Sequence, residues 1–283
     1  MKINIRLAGG FGNQLFQLAT LESILAKYHN LKVINVDPTF LSNYPVSREF
    51  TSKIILDCLA QYYSLKITEN RSIVSKLRIG KLPNLYFSNI AAVNKVSDIG
   101  KIKNHRIVAM DGYFQSSKIS FSAPFLDFLN YKVIQPRLRK IKNIDGMNTY
   151  TALHVRRTDY MDKKNAEVYH FLSERYYDDA VQLFNRPSKL LVFSDCINTG
   201  LAFAERYEAT FYSKNSTGIF EDFLVMANAK NIILANSTFS WFAGIIGQKN
   251  KRMVLPLNWH KNPSFDFHHG LGDKVNYIDN VGS

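Results

Sequence analysis

Residues 149–160, TYTALHVRRTDY, place two adjacent arginines and an aspartate directly after an apolar run. The run 149–155 has the length and composition of a buried strand, and similar runs alternate with helical patterns as far as residue 256. This alternation predicts an α/β fold with a doubly wound parallel sheet. The further strand candidates are KLLVFSD (189–195), ATFYS (209–213), NIILAN (231–236) and RMVLP (252–256), and the helical candidates are 173–185, 200–207, 220–229 and 239–247.

The N-terminal half opens with a second α/β pattern. KINIRL (2–7) alternates as a strand does, the glycine-rich turn AGGFGNQ (8–14) leads into an amphipathic run to residue 29, and LKVINV (31–36) ends at Asp37. Beyond it we predict helices at 52–63 and 123–144 and a strand within 106–115. The polar stretch 142–148 then marks a boundary between two α/β domains, 1–145 and 146–283, and two domains imply a cleft.

The positive charge lies almost entirely in the first domain. The net charge is +13, and residues 1–145 hold 21 Lys and Arg against nine Asp and Glu, whereas residues 146–283 hold 15 against 14. A basic half can attract nucleic acid, an anionic membrane surface or a phosphorylated substrate, or it can simply be a solvated surface. Since no nucleic-acid-binding motif accompanies the charge, we expect no nucleic-acid partner.

The remaining bulk properties predict a globular protein outside the secretory pathway. Hydrophobic residues make up 46% of the chain and charged residues 21%, and no run approaches the roughly 20 apolar residues that cross a bilayer. The N-terminus MKINIRLAGG has no long apolar region, and Cys58 and Cys196 stand far apart without a CxxC pattern. We therefore expect a cytoplasmic protein without disulfides.

The arginine pair admits two interpretations. A guanidinium presents a planar fork of donors that suits phosphate oxygens, so Arg156 and Arg157 could clamp an anion. They could instead form a salt-bridged network with Asp159 that fixes the loop. Because ligands of doubly wound sheets bind where strands end, the position at a predicted strand end makes the clamp a candidate site.

Polar residues also follow two other predicted strands. Asp195 could accept hydrogen bonds from a base or a ribose, or cap a helix. Ser237, Thr238 and Ser240 could cradle a phosphate at the positive end of a helix, or merely cap it. The glycine-rich loop 8–14 fits neither GxGxxG nor GxxxxGK[ST]. No two aspartates stand two residues apart anywhere in the chain, so the DxD motif that binds a metal ion and a nucleotide sugar is absent.

Five motifs in order resemble the bacterial α-1,2-fucosyltransferases of glycosyltransferase family 11: GGFGNQLFQ (9–17), MDGYFQ (110–115), HVRRTDY (154–160), FSD (193–195) and NSTFSWFAG (236–244). Their order and spacing match over nearly the whole chain. The resemblance implies a GT-B-like fold of two Rossmann-like domains facing a central cleft, and an inverting, metal-independent transfer of fucose from GDP-fucose to a galactose hydroxyl. It implies that the first domain faces the acceptor and the second binds GDP-fucose.

The resemblance also assigns roles to individual residues. Arg156 looks like the arginine that binds the β-phosphate and stabilises the charge developing on GDP, while Arg157 and Asp159 support donor geometry and Asp159 is a candidate base. The residues similar to donor contacts are Asn13, His154, Arg156, Arg157, Asp195, Ser237, Thr238, Phe239 and Ser240. Those expected to line the acceptor side are Gly112, Tyr113 and Gln115.

The motifs do not identify the general base. Asp162, Glu167, Asp111 and Glu22 lie near the motifs, but none matches a position at which a base can be assigned. The segment 161–170 could be an acceptor loop or a solvated connection.

Related α-1,6- and protein O-fucosyltransferases share the arginine motif, and a GDP-sugar-binding protein without catalysis is a further alternative. The basic half supports peripheral contact with the inner face of an anionic membrane, where a lipid-linked, galactose-terminated acceptor would be assembled.

Overall fold

A computed structural model describes residues 1–42, 49–69, 90–102, 105–116, 123–141, 149–157, 163–187, 189–213, 218–247, 250–263 and 275–280. It divides into two compact units, Met1–Val133 and Ile134–Ser283. The predicted boundary between residues 145 and 146 falls outside the described residues. No helix in the described ranges is long and apolar enough to cross a membrane.

The first unit is built on a five-stranded parallel sheet in the order β3-β2-β1-β5-β4. Its strands are β1 Lys2–Arg6, β2 Val33–Asp37, β3 Lys66–Glu69, β4 Ile90–Val93 and β5 Ile107–Met110. Its helices are α1 Phe11–Lys27, α2 Thr39–Ser42, α3 Lys53–Tyr62, a 3-10 helix at Val96–Lys101 and α4 Ala123–Asp127. The predicted β-α-β opening is therefore confirmed.

The turn from β1 into α1 depends on Gly9. Its φ is +77°, a left-handed conformation that glycine adopts at no steric cost. A Cβ atom there would stand 2.6 Å from Nδ2 of Asn13 and 2.9 Å from Cε1 of Tyr113. The absence of a side chain at Gly9 therefore lets Asn13 and Tyr113 approach the loop.

The second unit contains a six-stranded parallel sheet in the order β11-β10-β9-β6-β7-β8. Its strands are β6 Thr151–Val155, β7 Leu190–Ser194, β8 Thr210–Phe211, β9 Asn231–Ile233, β10 Arg252–Pro256 and β11 Val275–Ile278. Its helices are α5 Gln135–Leu138, α6 Lys163–Ala166, α7 Glu174–Gln182, α8 Ile197–Arg206, α9 Ile219–Asn228 and α10 Thr238–Ile245. The predicted doubly wound α/β class is confirmed here.

The core of this unit explains why β6 reads as a continuous apolar run. All five residues of β6 are buried, as expected for a central parallel strand that is covered on both faces. Leu153 and Val155 of β6 pack in one cluster with Tyr176 and Tyr177 of α7 and Phe203 of α8. The buried cluster thus fixes the strand that leads into the arginine pair.

The helix predicted at 123–144 is confirmed as far as residue 138, but its hydrogen-bonding pattern is not uniform. The segment α4 is followed by π-helical turns at Phe128–Ile134 and then by α5, and residues 142–144 lie outside the described ranges. Pro136 lies at the beginning of α5. Because proline has no N–H to donate, the hydrogen-bonding pattern changes there.

A buried lysine joins the C-terminal ends of α9 and α10. The side chain of Lys251 is only 4% exposed, and its Nζ donates to the carbonyl oxygens of Ala227 (2.6 Å), Ala243 (2.7 Å) and Ile246 (2.6 Å). Burial lowers the pKa of Lys251 from its usual value. The three carbonyls oppose this effect, because only the ammonium form has three N–H groups to donate.

Candidate active site

The register of β6 and β7 brings the arginine motif to Asp195. Val155 pairs with Ser194, so the residues that follow the two strands are also neighbours. Nε of Arg156 lies 3.6 Å from Oδ2 of Asp195, and the backbone N–H of Arg157 donates to Oδ1 of Asp195 (3.1 Å). The carboxylate thus connects the two strand ends and orients Arg156, whose side chain remains 18% exposed.

The two arginines have different surroundings. The guanidinium of Arg157 lies 4.2 Å from the ring centre of Phe171 and 5.8 Å from that of Phe203, and its Nη1 donates to the carbonyl oxygen of Leu172 (2.8 Å). The contact with Phe171 could not be predicted from the sequence, since this exposed residue belongs to no periodic pattern. Arg157 is held by residues of its own unit. These contacts support a role for Arg157 in fixing the loop rather than in clamping an anion.

We expect substitution of Arg157 with Lys to reduce stability. The ammonium group of lysine has no flat surface that could stack on Phe171 while it also donates to the carbonyl oxygen of Leu172. The free energy of unfolding should therefore fall by about 1–2 kcal/mol. Urea unfolding measures the change. Arg175→Lys is the matched control, because the side chain of Arg175 is 71% exposed and its ion pair with Asp179 spans 3.8 Å. Equal stability of the two variants would contradict this role of Arg157.

His154 is buried beside the arginine pair. It is 4% exposed, and its Nδ1 has no hydrogen-bond partner among the described residues. Its ring centre lies 5.6 Å from that of Phe239, which in turn lies 5.7 Å from that of Phe223 on α9. Burial lowers the pKa of His154 to about 3; the Asp195 carboxylate opposes this shift and Arg156 adds to it. His154 is therefore neutral near pH 7.

The pKa of His154 predicts a specific loss of stability in acid. Between its unfolded pKa of about 6.5 and its folded pKa of about 3, only the unfolded chain binds the proton, so stability falls as the pH decreases through this window. His154 should contribute about 2 kcal/mol of the destabilisation between pH 7 and pH 5. Urea unfolding of His154→Gln should lack this component, and His29→Gln, at an exposed position, should keep it. Identical pH dependence in wild type and His154→Gln would contradict the assignment.

The N-terminus of α10 contains the third group of predicted donor residues. Ser237 caps the helix, its hydroxyl accepting from the backbone N–H of Phe239 (3.3 Å). Ser240 is fully buried and its hydroxyl lies 3.3 Å from the carbonyl oxygens of Ala235 and Ser237. Ser240 therefore supports the turn from within, whereas Thr238 and Phe239 are only half-buried.

The predicted residues of the first unit also come together. Oδ1 of Asn13 accepts from Nε2 of Gln115 (2.9 Å), and Tyr113 is 37% exposed next to the same loop. Gly112 lies so close to the backbone of Asn94 that a Cβ atom at Gly112 would stand 2.4 Å from the carbonyl oxygen of Asn94. Buried Gln17 donates to the carbonyl oxygen of Gly112 (2.8 Å) and links the two loops.

The candidate bases differ in solvent exposure and in the side chains that they contact. Asp159 and Asp162 lie outside the described residues. The carboxylate of Asp111 is engaged by Arg6, whose Nε donates to Oδ1 of Asp111 (2.9 Å). Glu22 is 3% exposed and accepts from the hydroxyl of Tyr63 (2.8 Å), while burial raises its pKa. Glu167 is exposed on the second unit.

In the part of the chain that the structure describes, no group of three or more His, Cys, Asp or Glu residues could hold a metal ion.

Comparison with known proteins agrees with these features. The model of the family described as glycosyl transferase family 11 matches residues 1–272. The O-antigen biosynthesis glycosyltransferase WbnK of Escherichia coli is 24% identical over 282 residues, covering 89% of this chain and 93% of that protein. The alpha-1,2-colitosyltransferase of Escherichia coli is 26% identical over 292 residues, covering 92% and 94%.

Solved structures support the fold. POFUT1 in complex with GDP-fucose aligns with a TM-score of 0.50 at 11% identity, over 89% of this chain and 97% of that one. An Arabidopsis thaliana FUT1 variant in complex with GDP gives a TM-score of 0.50 at 11% identity, over 89% and 69%. POFUT1 is of the GT-B type, so the predicted GT-B-like class of two Rossmann-like domains is confirmed.

Proposed function

Because the chain belongs to glycosyl transferase family 11, and is thus a glycosyltransferase, we propose that it transfers L-fucose from GDP-fucose to the 2-hydroxyl of a terminal galactose, with inversion. The observation that carries the proposal is the geometry of Arg156. Its guanidinium is held by Asp195 at the carboxyl edge of the second sheet and stays partly open, as an anion-binding arginine must.

The donor binds to the second unit in this proposal. Arg156 contacts the β-phosphate of GDP and stabilises the negative charge that develops there as the bond to fucose breaks. The nucleoside contacts Asp195 and the neutral imidazole of His154, whose buried Nδ1 has no hydrogen-bond partner in the part of the chain that the structure describes. Thr238 and Phe239, at the positive end of α10, contact the donor, with Ser237 and Ser240 holding the turn.

The reaction proceeds without a divalent metal in this proposal. The chain contains no DxD motif, and Arg156 is positioned to neutralise a diphosphate through a planar fork of donors. The same electrostatic task is performed by a metal ion in other nucleotide-sugar enzymes.

The acceptor binds to the first unit. Tyr113 offers an exposed aromatic ring, and beside it the amide of Gln115 donates to Asn13, the residue of this unit that is assigned to the donor. An aromatic face next to planar amides suits a sugar, which presents both C–H and hydroxyl groups. The α-1,2 linkage in the name of the colitosyltransferase supports the 2-hydroxyl as the site of attack. Asp159 remains the candidate base, since the carboxylate of Asp111 is committed to Arg6.

The proposal is tested by donor and acceptor panels with excess EDTA. GDP release is measured with GDP-fucose and a set of β-galactosides, and we expect release only when a galactose-terminated acceptor is present. GDP-mannose and GDP alone serve as controls. Absence of GDP release above the acceptor-free rate for every galactoside would refute the proposal. Tight GDP binding without turnover would favour the non-catalytic alternative.

A colitose donor is the second candidate, because a relative that covers nearly the whole chain is a colitosyltransferase. Supplying both activated sugars to the protein with the same acceptor gives the ratio of their kcat/KM values. A higher kcat/KM for GDP-fucose than for the activated colitose supports the fucosyltransferase assignment. A lower value for GDP-fucose identifies the protein as a colitosyltransferase.

A further inference from the structure

Four exposed basic residues form a row along the amino edge of the first sheet, which we call the basic edge: Lys66, Lys32, Lys2 and Arg106. They lie at the beginnings of the adjacent strands β3, β2, β1 and β5. Lys2 and Lys66 are level in the strand register, both opposite Val33, and Lys32 and Arg106 each stand one residue before their strand. The backbone joins neighbouring strands there, since the N–H of Lys66 donates to the carbonyl of Lys32 (3.0 Å) and that of Lys2 donates to the carbonyl of Arg106 (2.9 Å). With about 4.8 Å between strands, the row is about 15 Å long.

The acidic residues of the same strands lie at the opposite edge. Asp37 ends β2, Glu69 ends β3, and Asp111 follows β5. Three strands therefore have a base at their start and an acid at their end or just beyond it. This arrangement separates charge along the sheet. In the ranges 1–42, 49–69, 90–102 and 105–116, no residue of the basic edge forms an ion pair.

An exposed tyrosine lies next to the basic edge. Tyr62, at the C-terminal end of α3, is 59% exposed, and its ring packs on those of Tyr63 (5.0 Å) and Phe128 (5.7 Å). The backbone N–H of Leu65 donates to Ala60 (2.8 Å), so the chain turns tightly from α3 into Lys66. A tyrosine has an apolar ring and a polar hydroxyl, and such side chains are enriched between lipid headgroups and water.

We infer that the basic edge is a docking surface for an anionic phospholipid bilayer. Closely spaced like charges repel one another, and a negatively charged plane of headgroups relieves that repulsion along the whole row. A row of basic residues along one sheet edge, with an amphipathic ring beside it, suits such a plane better than the groove of a duplex. The carboxyl edge, with the predicted acceptor residues, is then turned away from the lipid. The inference does not rest on the proposed function.

The amino edge of the second sheet offers a matched control. Lys189, Lys230 and Arg252 are exposed at the beginnings of β7, β9 and β10. The guanidinium of Arg252 lies over the ring of Phe184, 5.2 Å from its centre, and Glu208 precedes the neighbouring strand β8. This row has the same residue types in the same topological position, but acidic charge accompanies it.

The test is sedimentation of the full chain with vesicles of phosphatidylcholine containing 30 mol% phosphatidylglycerol. We compare wild type, Lys32→Gln/Lys66→Gln/Arg106→Gln and the control Lys189→Gln/Lys230→Gln/Arg252→Gln, after thermal melts have shown that each variant is folded. The edge variant should lose on the order of 100-fold in partition coefficient, from roughly fivefold per basic residue, and the control less than about threefold. Wild-type binding should weaken steeply as salt rises and be absent for pure phosphatidylcholine.

Three results would overturn the inference: wild-type binding by the edge variant, an equal loss in the control variant, or binding that is unaffected by salt. Release of the protein from vesicles by duplex DNA at equal phosphate concentration would assign the row to nucleic acid instead. GDP release in solution should be the same for wild type and the edge variant, so failure of docking is distinguishable from failure of the proposed transfer.

Discussion

Arg156→Lys should lower kcat for GDP release by about 100- to 1,000-fold, with a smaller effect on the affinity for GDP. Lysine keeps the positive charge but cannot present two parallel N–H donors to a phosphate, nor keep the orientation that Asp195 gives to Arg156. The loss appears mainly in kcat because the charge on the departing diphosphate is greatest in the transition state. Steady-state kinetics with saturating acceptor, together with calorimetric titration of GDP, separates the two effects.

Arg175→Lys is the control for this prediction, and its kcat should remain within about twofold of wild type because the residue is an exposed helix position outside the site. The comparison with Arg157→Lys is equally informative. We expect that variant to lose stability through its contacts with Phe171 and Leu172, whereas Arg156→Lys should unfold like wild type. An unchanged kcat in Arg156→Lys would remove Arg156 from the mechanism.

Lys251→Met should lower the free energy of unfolding by about 3–5 kcal/mol. Methionine has nearly the same length but no donor, so the carbonyl oxygens of Ala227, Ala243 and Ile246 would all lose their partner. Two helix C-termini would then face each other without a cation between them. Urea unfolding by far-UV circular dichroism measures the change.

Lys261→Met serves as its control, because Lys261 is exposed and, among the residues that the structure describes, its one hydrogen bond runs from its backbone N–H to Val168. This variant should stay within about 0.5 kcal/mol of wild type. A loss below about 1 kcal/mol in Lys251→Met would show that water or a neighbouring side chain replaces the ammonium group.

The sequence predicted the fold best where burial determines the pattern. The strand β6 is covered on both faces, so its apolar run and its end at the arginine pair could be read directly. The short edge strands β3, β4 and β11 were missed, since strands of four residues that are only partly covered leave little periodicity.

The candidate site was predicted as a set of residues but not as a set of contacts. That Asp195 follows a strand was evident, whereas its position next to Arg156 depends on the register between β6 and β7, which only the folded chain determines. The lysine that joins α9 and α10 could not be predicted either, because Lys251 stands in the polar stretch QKNKR (248–252) and matches no motif.

Linkage analysis of the product made with excess EDTA is the most direct test of the central claim. Purified protein is incubated with GDP-fucose and a β-galactoside, and the product is methylated, hydrolysed and identified by mass spectrometry. We predict a galactose derivative that is substituted at its 2-position together with a terminal fucose derivative, formed at the same rate with and without the chelator. A 6-linked sugar, fucose on a protein hydroxyl, or a product that forms only after a divalent metal is restored would contradict the account.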